Sequence, residues 1–172
     1  MADNYLQFSE AIVHLSIEER DWLQRQLETV YLFGEKEFAE HEIPDHLSAA
    51  DATWCDCRAF RDLPNVDSDD DAGFQYEFME DEGLGRHLWV YADEGGDPDR
   101  VAHLVQKFLR QFRPHEWWSL TYATTCSKLR LGEFSGGARF VTADRIEPFD
   151  AYDFVNECRA RFTARATSAP PS

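Results

Sequence analysis

Cys126, just after the predicted strand Trp117–Thr124, carries the side chain best suited to covalent chemistry in this 172-residue chain. Lys128 and Arg130 follow it, and nearby cations lower the pKa of a thiol and so favour the nucleophilic thiolate. A nucleophile of this kind also needs a general base. The candidate bases are His87, His103 and His115. Because the spacing matches no catalytic signature, an enzyme using Cys126 is only the alternative interpretation.

A zinc site is the second chemistry that the residue types allow. Its candidate ligands are His41, His46, Cys55 and Cys57. Two imidazoles and two thiolates form an accepted tetrahedral donor set, and a C-x-C pair in a strand points both sulfurs to one face. The order H-x4-H before C-x-C differs from the usual zinc-finger spacing. Reduced structural cysteines are therefore expected, with no bound metal and no cofactor.

Calcium is the third possibility, raised by the acidic run from Asp67 to Gly73. An EF-hand loop needs glycine at its sixth position and glutamate at its twelfth. Here Gly73 is seventh and Phe78 is twelfth, so the spacing argues against an EF-hand. The run instead predicts an exposed acidic loop.

Acidic residues are concentrated in the first hundred positions of the chain. These positions hold 26 Asp or Glu and 7 Lys or Arg, whereas the last 72 hold 7 and 10, within a net charge of −16. This asymmetry favours a protein partner with a basic surface and disfavours direct binding to nucleic acid or membranes. The candidate partner-binding carboxylates are Glu35, Glu37, Glu40, Glu42, Asp67, Asp69, Asp70, Asp71, Glu80, Asp81 and Glu82.

Such a charged surface can imitate nucleic acid. Double-stranded DNA carries one negative charge per about 1.7 Å of axis, and proteins bind it through cationic grooves. Carboxylates held by a folded scaffold can occupy such a groove. The sharper hypothesis is therefore a nucleic-acid-mimicking inhibitor of a nucleic-acid-binding protein, such as a defence protein. The competing interpretation is a surface whose charge serves solubility alone.

The chain before residue 74 predicts one clear helix. Ser16 and Glu19 have the spacing of a capping box, and the helix is expected to run to about Val30. Residues 1–15 are ambiguous, because Phe8–Ile12 fits the opening of a short helix and Ala11–Leu15 fits an edge strand. The other predicted segments are a loop or short helix over 34–53, a strand over Trp54–Arg61 and an exposed loop over Leu63–Gly73.

The chain from residue 74 onwards predicts the order ββαββα. The predicted elements are a strand at Phe74–Met79, a strand at His87–Ala92, a helix capped by Asp97 and ending at Phe112, strands at Trp117–Thr124 and Ala138–Ala143, and a helix capped by Asp150. This order indicates an α+β protein, with an antiparallel sheet of four or more strands and two or three helices on one face. We expect a single domain over 1–162, in which residues 1–100 are acidic and residues 101–162 are near-neutral to basic. A disordered tail is expected over 163–172.

Two groups of side chains in the second half are expected to make contacts. Lys107, Arg110 and Arg113 lie on the polar side of the predicted helix and are expected to pair with the acidic half. Trp117 and Trp118 are adjacent in a predicted strand, so one indole lies on each face of the sheet. One of the two rings can therefore be exposed as an interface anchor.

Three segments of the second half carry a family resemblance. They are Tyr91–Gly96, Leu104–Leu109 and Trp118–Cys126, within residues 91–143. The chain resembles a group of small uncharacterised proteins associated with bacteria, phages and mobile elements. The resemblance implies a ferredoxin-like sheet and no known activity, and it transfers no functional residue.

These observations together predict a non-catalytic acidic protein-interaction module. The sequence has no apolar run long enough to cross a bilayer and no basic segment followed by an apolar one at its start, so a cytoplasmic protein is expected. The alternative is a small cytoplasmic enzyme that uses Cys126 or the His/Cys metal site.

Overall fold

The described segments of the chain contain eight strands and three helices. The computed structural model describes residues 3–27, 30–33, 36–39, 73–128 and 133–167. The elements are β1 (Asn4–Ile12), α1 (Ile17–Leu27), β2 (Val30–Phe33), β3 (Lys36–Ala39), β4 (Gln75–Asp81), β5 (Gly85–Ala92), α2 (Pro98–Phe112), β6 (Trp117–Cys126), β7 (Ser135–Thr142), β8 (Ile146–Asp150) and α3 (Ala151–Thr167). They confirm the predicted α+β class.

Six strands form one antiparallel sheet in the order β4-β5-β1-β6-β7-β8. Strand β1 lies in the middle of this sheet, where Ile12 is opposite Leu88 of β5 and Asn4 is opposite Cys126 of β6. The expectation of a short helix or an edge strand over residues 1–15 is therefore wrong. Glu10 interrupts the apolar alternation of β1 and hides its strand pattern.

The placement of β1 completes a known topology. The units β1-α1-β4 and β5-α2-β6, with the strand order β6-β1-β5-β4, have the βαββαβ connections of a ferredoxin-like sheet. Strands β7 and β8 extend this sheet beyond β6. Strands β2 and β3 form a separate two-stranded sheet between α1 and β4 in the sequence.

The main hydrophobic core lies on the face of the sheet that α1 and α2 cover. Its fully buried side chains are Leu23, Leu88, Val90, Val101, Leu104, Val105, Phe108, Leu120 and Val141. Side chains alternate between the two faces of a strand, so the intervening residues point the other way. We call that other side the open face. Its residues include Gln7, Ser9, Ala11, Gln75, Glu77, Met79, Asp81, Trp89, Tyr91, Trp117, Thr121 and Phe140.

Local capping determines where the helices begin. The amide of Ser16 donates to the carboxylate of Glu19 at 2.7 Å, and the Glu19 amide donates to the Ser16 hydroxyl at 3.2 Å, which confirms the capping box. Asp97 and Asp150 accept from the first-turn amides of α2 and α3, as predicted. Helix α1 ends at Leu27 rather than Val30, because Val30 begins β2.

The end of the chain differs from the prediction in two ways. Strand β8 was not expected, because Pro148 interrupts its sequence, but proline is tolerated in an edge strand. Helix α3 continues to Thr167, so residues 163–167 are helical where a disordered tail was predicted. Residues 168–172 lie outside the described segments of the chain.

The remaining expectations fall largely beyond the described residues. Within 34–53, where a loop or short helix was expected, Lys36–Ala39 is a strand. The predicted strand Trp54–Arg61 and the predicted loop from Leu63 to residue 72 lie outside the described ranges.

Candidate protein-interaction surface

The β4–β5 hairpin is a continuously described part of the acidic half. It pairs continuously from Gln75 opposite Tyr91 to Asp81 opposite Gly85. Residues 75–97 carry seven Asp or Glu and a single basic residue other than histidine, Arg86. Arg86 lies opposite Glu80 with its Nε 3.9 Å from that carboxylate, on the side of the sheet that faces α1. The hairpin therefore holds its carboxylates in a fixed arrangement.

The tip of this hairpin is held by Asp81. Its Oδ1 accepts from the amides of Gly83 at 2.8 Å and Leu84 at 2.7 Å. The Leu84 hydrogen bond is the main cause that holds the pKa of Asp81 below its usual value; desolvation opposes it, and the Gly83 hydrogen bond adds to the lowering. Gly85 follows with φ of 61°, a left-handed conformation that favours glycine. The turn carboxylate thus remains charged and also orders the loop.

Two aromatic pairs lie on the open face. Trp89 and Tyr91 stack with ring centroids 4.1 Å apart, and the Trp89 indole donates to the Ser9 hydroxyl at 2.9 Å. Trp117 and Phe140 stack with centroids 5.5 Å apart. Stacked rings in fixed positions supply contact area without much ordering cost, which is typical of interface anchors.

The two adjacent tryptophans occupy opposite faces, as predicted. Trp117 is 64% exposed on the open face. Trp118 packs against the core, and its indole donates to the Ala11 carbonyl at 3.0 Å. The expected exposed ring is therefore Trp117.

Three arginines of the second half, Arg110, Arg113 and Arg139, bond to other parts of the fold. Arg113 makes a two-pronged ion pair with Glu19, at 2.7 and 3.1 Å, which confirms the expected pairing of this helix with the acidic half. Arg110 donates instead to the Ala143 carbonyl at 2.6 Å. Arg139 pairs with Asp99 at 2.6 Å. The open-face positions of strands β1, β4, β5 and β6 hold no Lys or Arg.

The structure describes only some members of the predicted acidic set. Glu80, Asp81 and Glu82 lie together at the hairpin tip and are exposed. Glu37 lies in β3, opposite Leu32. The other members, Glu35, Glu40, Glu42, Asp67, Asp69, Asp70 and Asp71, lie outside the described residues.

Cys126 is a free, buried thiol opposite Asn4 at one end of the sheet. His87 and His115 lie at the opposite end, roughly 25–30 Å away by the strand rise along β1 and β6. His103 is exposed on the outer surface of α2. The fold thus brings none of these three candidate bases next to Cys126.

The candidate zinc ligands His41, His46, Cys55 and Cys57 lie outside the described residues. Within the described ranges, no group of three or more His, Cys, Asp or Glu side chains is placed to hold a metal ion. No described helix is both long enough and apolar enough to cross a membrane.

One feature of this surface was missed in the sequence, the stacked pair Trp89 and Tyr91. Their i, i+2 spacing was visible, but which face of β5 the helices cover depends on contacts distant in sequence.

No protein-family model matches the sequence, and neither a curated protein nor a solved structure was found to match it.

Proposed function

We propose that this protein acts without catalysis, by binding a protein with a basic surface through its β4–β5 hairpin and the adjoining open face. The supporting observation is the hairpin itself. It combines exposed carboxylates, two stacked aromatic rings and an open face without Lys or Arg on one rigid element.

The two kinds of side chain have different roles in this proposal. Carboxylates at the rim speed association with a cationic partner and select against acidic ones, and their effect weakens with salt. Aromatic rings contribute contact area at the centre of an interface. Because the paired strands already hold the carboxylates and the aromatic rings in place, less conformational entropy is lost on binding.

A sharper form of the proposal concerns the identity of the partner. A basic surface that binds nucleic acid is the complement to an array of fixed carboxylates, so the protein would occupy it in place of nucleic acid. In that case double-stranded DNA competes with this protein for its partner. A partner that is retained in excess DNA would contradict the mimicry while leaving the binding of a basic protein intact.

Charge reversal on the hairpin tests the proposal. We expect the triple variant Glu77→Lys, Glu80→Lys and Glu82→Lys to bind a peptide of mixed Arg and Lys at least about tenfold more weakly. Titration calorimetry at low salt measures this loss.

The matched control changes net charge by the same amount elsewhere. It carries Asp144→Lys, Asp153→Lys and Glu157→Lys, all at exposed positions of the β7–β8 turn and α3. Equal losses in both triple variants would show attraction to net charge alone and would contradict a site on the hairpin.

A further inference from the structure

We infer that Trp89, Tyr91 and Glu77 form a seat for an arginine side chain of the partner, an inference that rests on the proposed function and specifies its chemistry. The three residues are neighbours on the open face. Trp89 and Tyr91 stack along β5, and Glu77 of β4 lies directly opposite Trp89.

The ring pair is fixed before any partner arrives. Its two rings are nearly parallel, with an interplanar angle of 22°, and both are partly exposed. The one hydrogen-bond donor of the Trp89 side chain is engaged by Ser9 of β1. Besides the Tyr91 hydroxyl, the two rings offer a partner their π surface, which attracts cations.

The charge beside the rings is negative. Glu77 is exposed, and within the described ranges no Lys or Arg forms an ion pair with it. Directly opposite residues on paired strands have Cβ atoms about 5 Å apart, so one cation can contact both the Trp89 ring and the Glu77 carboxylate. Charge complementarity therefore assigns a cationic occupant.

The second aromatic pair of the open face, Trp117 and Phe140, differs because its neighbouring carboxylate already has a cationic partner. Phe140, stacked on Trp117, also has a glutamate opposite it, Glu147. That carboxylate is already paired with Arg145 at 2.6 Å. At the second pair the chain supplies its own arginine, whereas at Trp89 and Tyr91 none of the described residues supplies a cation.

Arginine fits this seat better than lysine does. A guanidinium is planar and can stack on a ring while donating two hydrogen bonds to a carboxylate, whereas an ammonium is a compact and strongly hydrated charge. The fold uses the same arrangement on its covered side. There Arg20 lies over Phe78, Arg113 over Phe108 and Arg139 over Tyr122, each within 5.2 to 5.4 Å of the ring centroid.

Two peptides of equal length and charge test the inference, one with arginines and one with lysines between the same glycines. We expect the wild-type protein to bind the arginine peptide about three- to tenfold more tightly. The arginine peptide should also shift the NMR signal of the Trp89 indole N–H, which is assigned by its loss in Trp89→Leu.

Two variants and two controls test whether the preference for the arginine peptide depends on Glu77 and Trp89. Glu77→Gln and Trp89→Leu should bind both peptides about equally, whereas Glu147→Gln and Trp117→Leu should keep the preference for arginine. If Trp89→Leu does not fold, Glu77→Gln decides the matter, because its side chain is exposed and nearly isosteric.

Equal wild-type affinity for the two peptides overturns the arginine seat, and so does a preference that survives in Glu77→Gln. If that happens while the hairpin charge-reversal variant still loses binding, the proposed function stands and only this inference fails. If the charge reversal has no effect, the proposed function fails as well.

Discussion

Replacing Arg113 with methionine should lower the free energy of unfolding by about 3 kcal/mol, because it leaves a buried carboxylate without its partner. Arg113 donates to Glu19 at 2.7 and 3.1 Å and to the carbonyls of Val13 and His14. Glu19 is only 9% exposed. Methionine keeps much of the packing of the arginine stem, so the loss reports mainly on the ion pair and the hydrogen bonds of the guanidinium. Urea denaturation at neutral pH measures it.

The matched control for Arg113→Met is Arg145→Met. Arg145 also forms a short ion pair, with Glu147 at 2.6 Å, but its side chain is 73% exposed. Exposed pairs contribute about 0–1 kcal/mol, so this variant should be nearly as stable as wild type. Similar losses in both variants would contradict the burial argument. The double variant Arg113→Met with Glu19→Gln removes the unpaired charge and should be more stable than Arg113→Met alone. A double variant that is no more stable would also contradict the argument.

Acid should reduce the effect of the Arg113 substitution. Burial on its own raises the pKa of Glu19, but hydrogen bonds from Arg113 and Ser16 outweigh it, so the net pKa lies below the usual 4.5. A carboxyl with a lowered folded-state pKa stabilises the fold above its unfolded pKa, and this contribution disappears as pH falls through the folded value. The stability difference between wild type and Arg113→Met should therefore be largest near neutral pH and shrink mainly as the pH falls below the usual 4.5. A constant difference would contradict the role of Glu19.

Replacing Phe108 with alanine should cost about 3–5 kcal/mol, the range for a large buried aromatic side chain. Phe108 is fully buried in the second half of α2. Its ring packs against Trp22 of α1, with centroids 6.3 Å apart, and against Phe112 at 5.6 Å. The substitution would thus leave a cavity between the two helices that cover the sheet. Thermal or urea unfolding would measure the loss of stability.

Phe149→Ala is the control for Phe108→Ala. Phe149 lies in the edge strand β8 and is 48% exposed, so its truncation should cost about 1 kcal/mol or less. A loss at Phe149 as large as that at Phe108 would show that the core is not centred on α2.

Elements with local signals were predictable from the sequence. The Asp97 cap, Pro98 and the apolar periodicity defined α2, and alternating apolar residues defined β4. Strand β1 was not predictable in the same way. It is completed by pairing with β5 and β6, whose residues lie about eighty or more positions away in sequence. The missing central strand is also why the ferredoxin-like order could not be derived from the pattern of elements.

The candidate surface was only partly predictable. Strand alternation correctly placed Trp117 and Trp118 on opposite faces. It could not say which face of β5 the helices cover, so the pairing of Trp89 and Tyr91 with Glu77 appears only in the assembled sheet. The charge asymmetry indicated a basic partner, and the structure adds a specific element, the β4–β5 hairpin, through which we propose that it binds.

The most direct test of the proposed binding compares three immobilised proteins in extracts of cells that naturally contain this chain. They are the wild type, the hairpin charge-reversal variant and the control charge-reversal variant. We predict a protein with a basic surface that is retained by the wild type and the control, lost by the hairpin variant and released by high salt. Retention of the same proteins by all three, or by none, would contradict the claim that the acidic hairpin is a binding site.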